Sequence, residues 1–202
     1  MIHRVTLLAA ICCLFLAGAC KKSKSGNNPA NNPLTGSWTF DGETSNGNAT
    51  STVMVGPLSV KVVSVIAFRT INNAGTVTFN SDSMVLMGLA YGIDTSFTTY
   101  TYTGLTVDST QVPFASTVPP SDTLVTYQLI GQDSIYFPNG SPFAVNVDSL
   151  QPPIQIKGAH FSISGTNLTL TSTINQTSNA TVNGITAPAT VSLKGIVNLT
   201  KQ

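Results

Sequence analysis

The residues of this chain that could move a proton, attack a carbonyl or hold a metal are few, and their spacing narrows them further. The sequence has 202 residues, two histidines and three cysteines. His3, Cys12 and Cys13 fall in the first residues, which read as a discarded leader, leaving His160, Cys20 and a single glutamate, Glu43. Asp41 and Glu43 stand two apart, and on a regular strand they would share a face. Paired carboxylates of that kind can hydrolyse glycosidic bonds when about 5–9 Å apart. Here they follow Trp38-Thr39-Phe40 beside Gly42, which favours a solvated turn. His160 would need a serine and an acid to act as a base, and no G-x-S-x-G elbow is present. One histidine is too few for a zinc site. The expectation is therefore no catalytic residue, no metal and no cofactor.

Cys20 carries a different chemistry. It follows Leu16-Ala17-Gly18-Ala19, at the end of a short apolar run, residues 5–16, that begins after Arg4. That run is shorter than the roughly 20 residues needed to span a bilayer as a helix. A basic start, a short apolar middle and small residues before a cut mark an export signal. Ala17-Gly18-Ala19 also suits the cleavage of an ordinary secretory signal. With the cysteine next in line, the arrangement resembles a bacterial lipoprotein signal. The resemblance implies that residues 1–19 are removed and that Cys20 becomes the acylated first residue. Several acyl chains hold far more firmly than one, since each buried CH₂ contributes about 0.8 kcal/mol.

Composition describes the rest of the chain. Residues 20–32, rich in Lys, Ser, Gly, Asn and Pro, have little to bury and read as the lipidated cysteine with a flexible linker. Residues 33–202 suffice for one domain. Charged residues are only 8% of the chain, far below the usual quarter, and Thr, Ser, Asn, Val and Gly take their place. From Asn32 onward there are five bases (Lys61, Arg69, Lys157, Lys194, Lys201) and eight acids, a net charge of −3. No basic patch exists, which argues against nucleic acid as a partner. With Cys20 the only cysteine after the leader, no internal disulfide can form.

The elements that would position any site are strands. Trp38 and Phe40 alternate onto one face, and residues 60–70 are apolar on both, as if covered twice or lining a cavity. Asn72-Asn73-Ala74-Gly75 reads as a turn. In residues 83–93, Val85, Met87, Leu89, Tyr91 and Ile93 would share a face, and a break is expected at Asp94-Thr95. Residues 111–121 hold prolines and read as a loop or an edge segment. Gly131-Gln132-Asp133 and Gly165-Thr166-Asn167 mark tight hairpins, and residues 143–147 form a short extended piece. The order predicts an all-β fold of about eight to ten antiparallel strands, a barrel or alternatively a sandwich.

Leu34-Thr35-Gly36-Ser37-Trp38 is similar to the G-x-W start of a lipocalin-type domain. The hairpins around residues 127–135 and 164–170 resemble its later hairpins. The chain thus resembles lipoproteins of the Bacteroidetes group with a lipocalin-like domain. That resemblance implies a β-barrel with Trp38 at its closed end and a small apolar ligand in its mouth. An envelope protein is the alternative partner. Delivery to the outer membrane is implied, on either face. No further lipocalin motif is present, so no ligand-binding residue is carried over. The alternative is a β-sandwich adhesion or carbohydrate-binding module, with Tyr91, Tyr100, Tyr102, Tyr127 and Tyr136 as candidate surface aromatics.

Overall fold

The computed structural model describes residues 32–143, 150–151, 156–182 and 185–202. Cys20, and most of the extended piece expected at 143–147, lie outside these residues. The described chain forms eleven strands and no helix, as the Thr- and Val-rich composition requires. They are β1 (Gly36–Val55), β2 (Leu58–Arg69), β3 (Ile71–Phe79), β4 (Ser83–Thr103), β5 (Thr106–Thr126), β6 (Gln128–Ile130), β7 (Ser134–Tyr136), β8 (Leu150–Gln151), β9 (Gly158–Ser164), β10 (Asn167–Val182) and β11 (Ile185–Lys201).

All ladders are antiparallel and belong to one sheet. β2 and β3 both lie between β1 and β4 and run the same way, so together they form one interrupted strand. Counting them once leaves ten strands, within the expected range. From β1 the sheet continues through β11, β10, β9 and β7 to β6, while β5 flanks β4 on the other side. Among the described residues no ladder joins β5 to β6. The arrangement is compatible with an incompletely closed barrel and with a sandwich.

One end of this sheet curls around the main core. Trp38 and Phe40 from β1, Val77 and Phe79 from β3, Met84 and Leu86 from β4, Leu168 from β10 and Leu199 from β11 are all buried there. The Trp38 Nε1–H donates to the Leu34 carbonyl at 2.9 Å, which keeps its polar edge satisfied inside the core. Asn32 fastens the start of the domain to the same end: its Oδ1 accepts the Leu34 N–H at 3.0 Å. The Asn32 side-chain amide donates to the Tyr127 hydroxyl, which in turn donates to the Asn80 carbonyl at 2.6 Å.

The other end is an extension of long hairpins. β1, at 20 residues, spans roughly 65 Å. Val60 pairs with Thr103 and Ser51 with Ala189, so the β1–β2 and β4–β5 connections lie at that far end, toward which β10 and β11 also run, pairing as far as Val182 and Ile185. Its first two tips carry Met54, Val55, Leu58, Leu105 and Val107, all exposed, with Leu105 fully in solvent.

Several strand boundaries differ from the sequence expectation for one recurrent reason: irregularities that look like turns are bulges inside longer strands. Asn72 adopts a left-handed φ of 53°, yet Asn72-Asn73-Ala74-Gly75 does not reverse the chain, because β3 keeps the partners of β2. The pairing of β3 with β4 shifts on both sides of Ala74. In β4 the ladder to β5 shifts after Leu86 and again after Leu89, around Gly88 with φ +62°. The Gly88 N–H is taken by Asp122 Oδ1 at 2.7 Å. The slip changes which residues face inward. Met84 and Leu86, then Leu89, Tyr91 and Ile93, are buried, while Met87 is exposed. The break expected at Asp94-Thr95 is absent, since β4 runs through it. Residues 111–121, with Pro113, Pro119 and Pro120, lie in β5, which pairs only with β4. The edge reading is the one that holds.

Candidate functional site

A bulge also buries Glu43, the one buried acidic side chain among the described residues. The β1–β11 register shifts between Phe40 and Gly42, where Gly42 has φ +132°, a region that glycine tolerates and other residues rarely adopt. One extra residue reverses the alternation from there on. Trp38 and Phe40 point inward before the bulge, and Glu43 and Ser45 point inward after it. Asp41 stays exposed, and its Oδ2 accepts the Thr200 hydroxyl at 2.6 Å. Asp41 and Glu43 are therefore on different faces and cannot act as a carboxylate pair. The solvated turn expected for Glu43 is corrected too, since that side chain is only 5% exposed.

The break between β2 and β3 locks the bulge. Thr70 Oγ1 accepts the Glu43 N–H at 2.8 Å, and the Thr70 N–H donates to the Glu43 carbonyl at 2.9 Å. Asn73 Nδ2 donates to the Asp41 carbonyl at 2.7 Å. Gly42 leaves room for this stitching, because a Cβ there would lie 2.4 Å from Asn73 Nδ2. Two irregularities on neighbouring strands thus fit one another.

Glu43 lines a pocket with walls from Phe137, Phe143, Ile156, Ala159, Leu170 and Val197, together with Ser141, Ser172 and Gly195. Its space is about 10 Å³, room for roughly one water molecule. Cross-strand pairing explains the neighbours. Glu43 is opposite Val197, which is opposite Leu170, and Gly195 is opposite Ser172. A Cβ on Gly195 would stand 3.4 Å from Glu43 Oε1, so the missing side chain leaves the carboxyl its place. No hydrogen bond or ion pair reaches that carboxyl among the described residues. Burial pushes its pKa from 4.5 up to about 7, because apolar walls disfavour the charged form. The pKa of Tyr91, buried on the same face, is raised by its own burial and by the Glu43 charge.

The remaining candidates separate cleanly. His160 sits on β9 opposite Ser134, with its side chain 77% exposed. The structure brings Ser134 Oγ to its Nδ1 at 3.0 Å and Asp133 Oδ2 to the same nitrogen at 3.9 Å. Sequence inspection missed this trio, although the Asp133-Ser134 turn was legible. Its geometry is wrong for nucleophilic catalysis, where serine and acid bind opposite ring nitrogens. Here both crowd Nδ1, and Ser134 donates instead to Asp133 Oδ1 at 3.0 Å. Trp38 belongs to the core and is not among the residues lining the Glu43 pocket. Of residues 60–70, Phe68 joins the core and Ile66 packs against it, while Val65 is exposed; none lines the pocket. Tyr91 and Tyr127 are buried, whereas Tyr102 and Tyr136 are partly exposed. Among the described residues no group of three His, Cys, Asp or Glu side chains could hold a metal, and no helix is long and apolar enough to cross a membrane. No family model, curated protein or solved structure matches the chain.

Proposed function

We propose that this chain is a non-catalytic, lipocalin-like binding protein, tethered to the cell envelope through an acylated Cys20 and delivered to the outer membrane. Its ligand is a small, largely apolar molecule that enters the Glu43 pocket end-on. The observation that carries this reading is Glu43 itself. Its side chain is buried among mostly apolar walls, and among the described residues its carboxyl has no hydrogen-bond or ion-pair partner; such a group weakens the fold, and such groups concentrate at functional sites. The small size of the pocket favours entry of one end of a ligand over enclosure of a whole molecule. The separation of Asp41 from Glu43 and the surface position of His160 support binding without turnover. For the tether, the support is the order of signal, cysteine and linker, with Asn32 fastening the linker's far end to the core.

A second reading, an adhesion or carbohydrate-binding module, is favoured by the apolar hairpin tips around Leu58 and Leu105. Native mass spectrometry of the full-length protein separates the two. A co-purified small molecule lost in Glu43→Gln supports the pocket. Its absence, with attachment to envelope material that depends on the tips, supports the surface. Metabolic labelling with an alkynyl palmitate tests the tether: label and membrane association should both vanish in Cys20→Ser, and an unlabelled wild-type protein refutes it.

A further inference from the structure

Glu43 points to the kind of ligand end the pocket accepts. We infer that the pocket is a site for the ammonium head of a primary amine bearing an apolar tail; this rests on the small-ligand reading above. Three observations carry it. The Glu43 side chain is 5% exposed and lines the space, and among the described residues no hydrogen bond or ion pair reaches its carboxyl, whereas buried acids ordinarily acquire a counter-charge. The space beside it is the size of one water molecule, and an –NH₃⁺ group is of that size, whereas a quaternary ammonium is far larger. The other polar side chains in the lining are the hydroxyls of Ser141 and Ser172, which can accept further hydrogen bonds from a three-donor head. Phe137, Phe143 and Leu170 offer apolar contact to the carbons behind it.

The chemistry excludes neighbouring classes. A fatty acid would set a second carboxylate against Glu43, and like charges at close range repel. A divalent metal needs several ligands, and a single carboxylate supplies at most two oxygens. An uncharged alcohol can hydrogen-bond to the acid but does not neutralise it.

The test is calorimetry and thermal unfolding of the full-length protein with n-butylamine, 1-butanol and tetramethylammonium, at about pH 8 and about pH 5, on either side of the Glu43 pKa. Butylamine should bind saturably and raise the melting temperature at the higher pH, with affinity weaker by about tenfold or more in Glu43→Gln and at the lower pH. Tetramethylammonium should not bind, and butanol should bind more weakly, with an affinity that changes by less than about threefold in Glu43→Gln, since glutamine also hydrogen-bonds to an alcohol. In the wild type, bound butylamine should also lower the Glu43 pKa, read by carbon-13 NMR of the carboxyl. Equal binding of butylamine and butanol, unchanged in Glu43→Gln, would overturn the amine assignment while leaving an apolar pocket in place. If none of the probes binds, the pocket reading falls with it.

Discussion

The hydroxyl of Thr70 accepts the backbone N–H of Glu43 at 2.8 Å, so the residue that interrupts one strand holds the residue that follows the bulge in its neighbour. Thr70 is buried, and removing its oxygen leaves that N–H without a partner. Thr70→Val should cost about 1–3 kcal/mol, while Thr70→Ser, which keeps the oxygen, should cost much less. Urea denaturation followed by Trp38 fluorescence measures both.

The protonation of Glu43 should be visible in stability. Its folded pKa, about 7, lies above its ordinary value of 4.5, so between these values the folded state retains a proton that the unfolded chain releases. The contribution of Glu43 to stability is therefore fully present below about pH 4.5 and is lost as pH rises through about 7. The full difference is about 3 kcal/mol for this one group. Glu43→Gln should remove this part of the slope and make the variant the more stable protein near pH 8. A wild-type profile as flat as that of the variant would contradict the burial of an ionisable Glu43.

Gly42 should tolerate no side chain. Its φ is +132°, and a Cβ added there would lie 2.8 Å from Thr70 Oγ1, so strain and collision combine. Gly42→Ala should destabilise by at least about 2 kcal/mol. It should also disturb the amide resonances of Glu43 and Asn73, since both take part in the same stitching.

The Asp133–Ser134–His160 group should contribute little. Asp133 and His160 are both more than two-thirds exposed, at 71% and 77%, and exposed pairs contribute about 0–1 kcal/mol. His160→Ala should leave the urea midpoint nearly unchanged and should abolish no esterase activity found in a preparation.

At the far end of the sheet, Leu58 and Leu105 make no contribution to the buried core. Replacing both with serine should shift stability by less than about 0.5 kcal/mol. Binding of an apolar dye should fall, and so should any self-association or adhesion that depends on that end.

What the sequence reveals here is mostly local. Gly131-Gln132-Asp133 and Gly165-Thr166 are hairpins as expected, because tight turns are specified by the residues that make them. Trp38 is in the core as its size requires. The phase of the long strands was hidden. Asn72, Gly42 and Gly88 carry turn chemistry, yet the chain continues straight past them, because partners on both sides hold it in the sheet. A one-residue slip exchanges the two faces. For that reason the burial of Glu43 and the exposure of Met87 depend on pairings with residues far away in the sequence. The Ser134–His160 contact is of the same kind, joining residues 26 apart.

The edge strand β5 has a consequence for crowding. Pro113, Pro119 and Pro120 each lack an N–H, and they lie in a strand 21 residues long that among the described residues pairs only with β4; a long strand margin without such interruptions invites a second copy to zip alongside. Where many copies share a small volume, these rings act as spacers. Molecules can then collide edge to edge repeatedly without seeding a fibre.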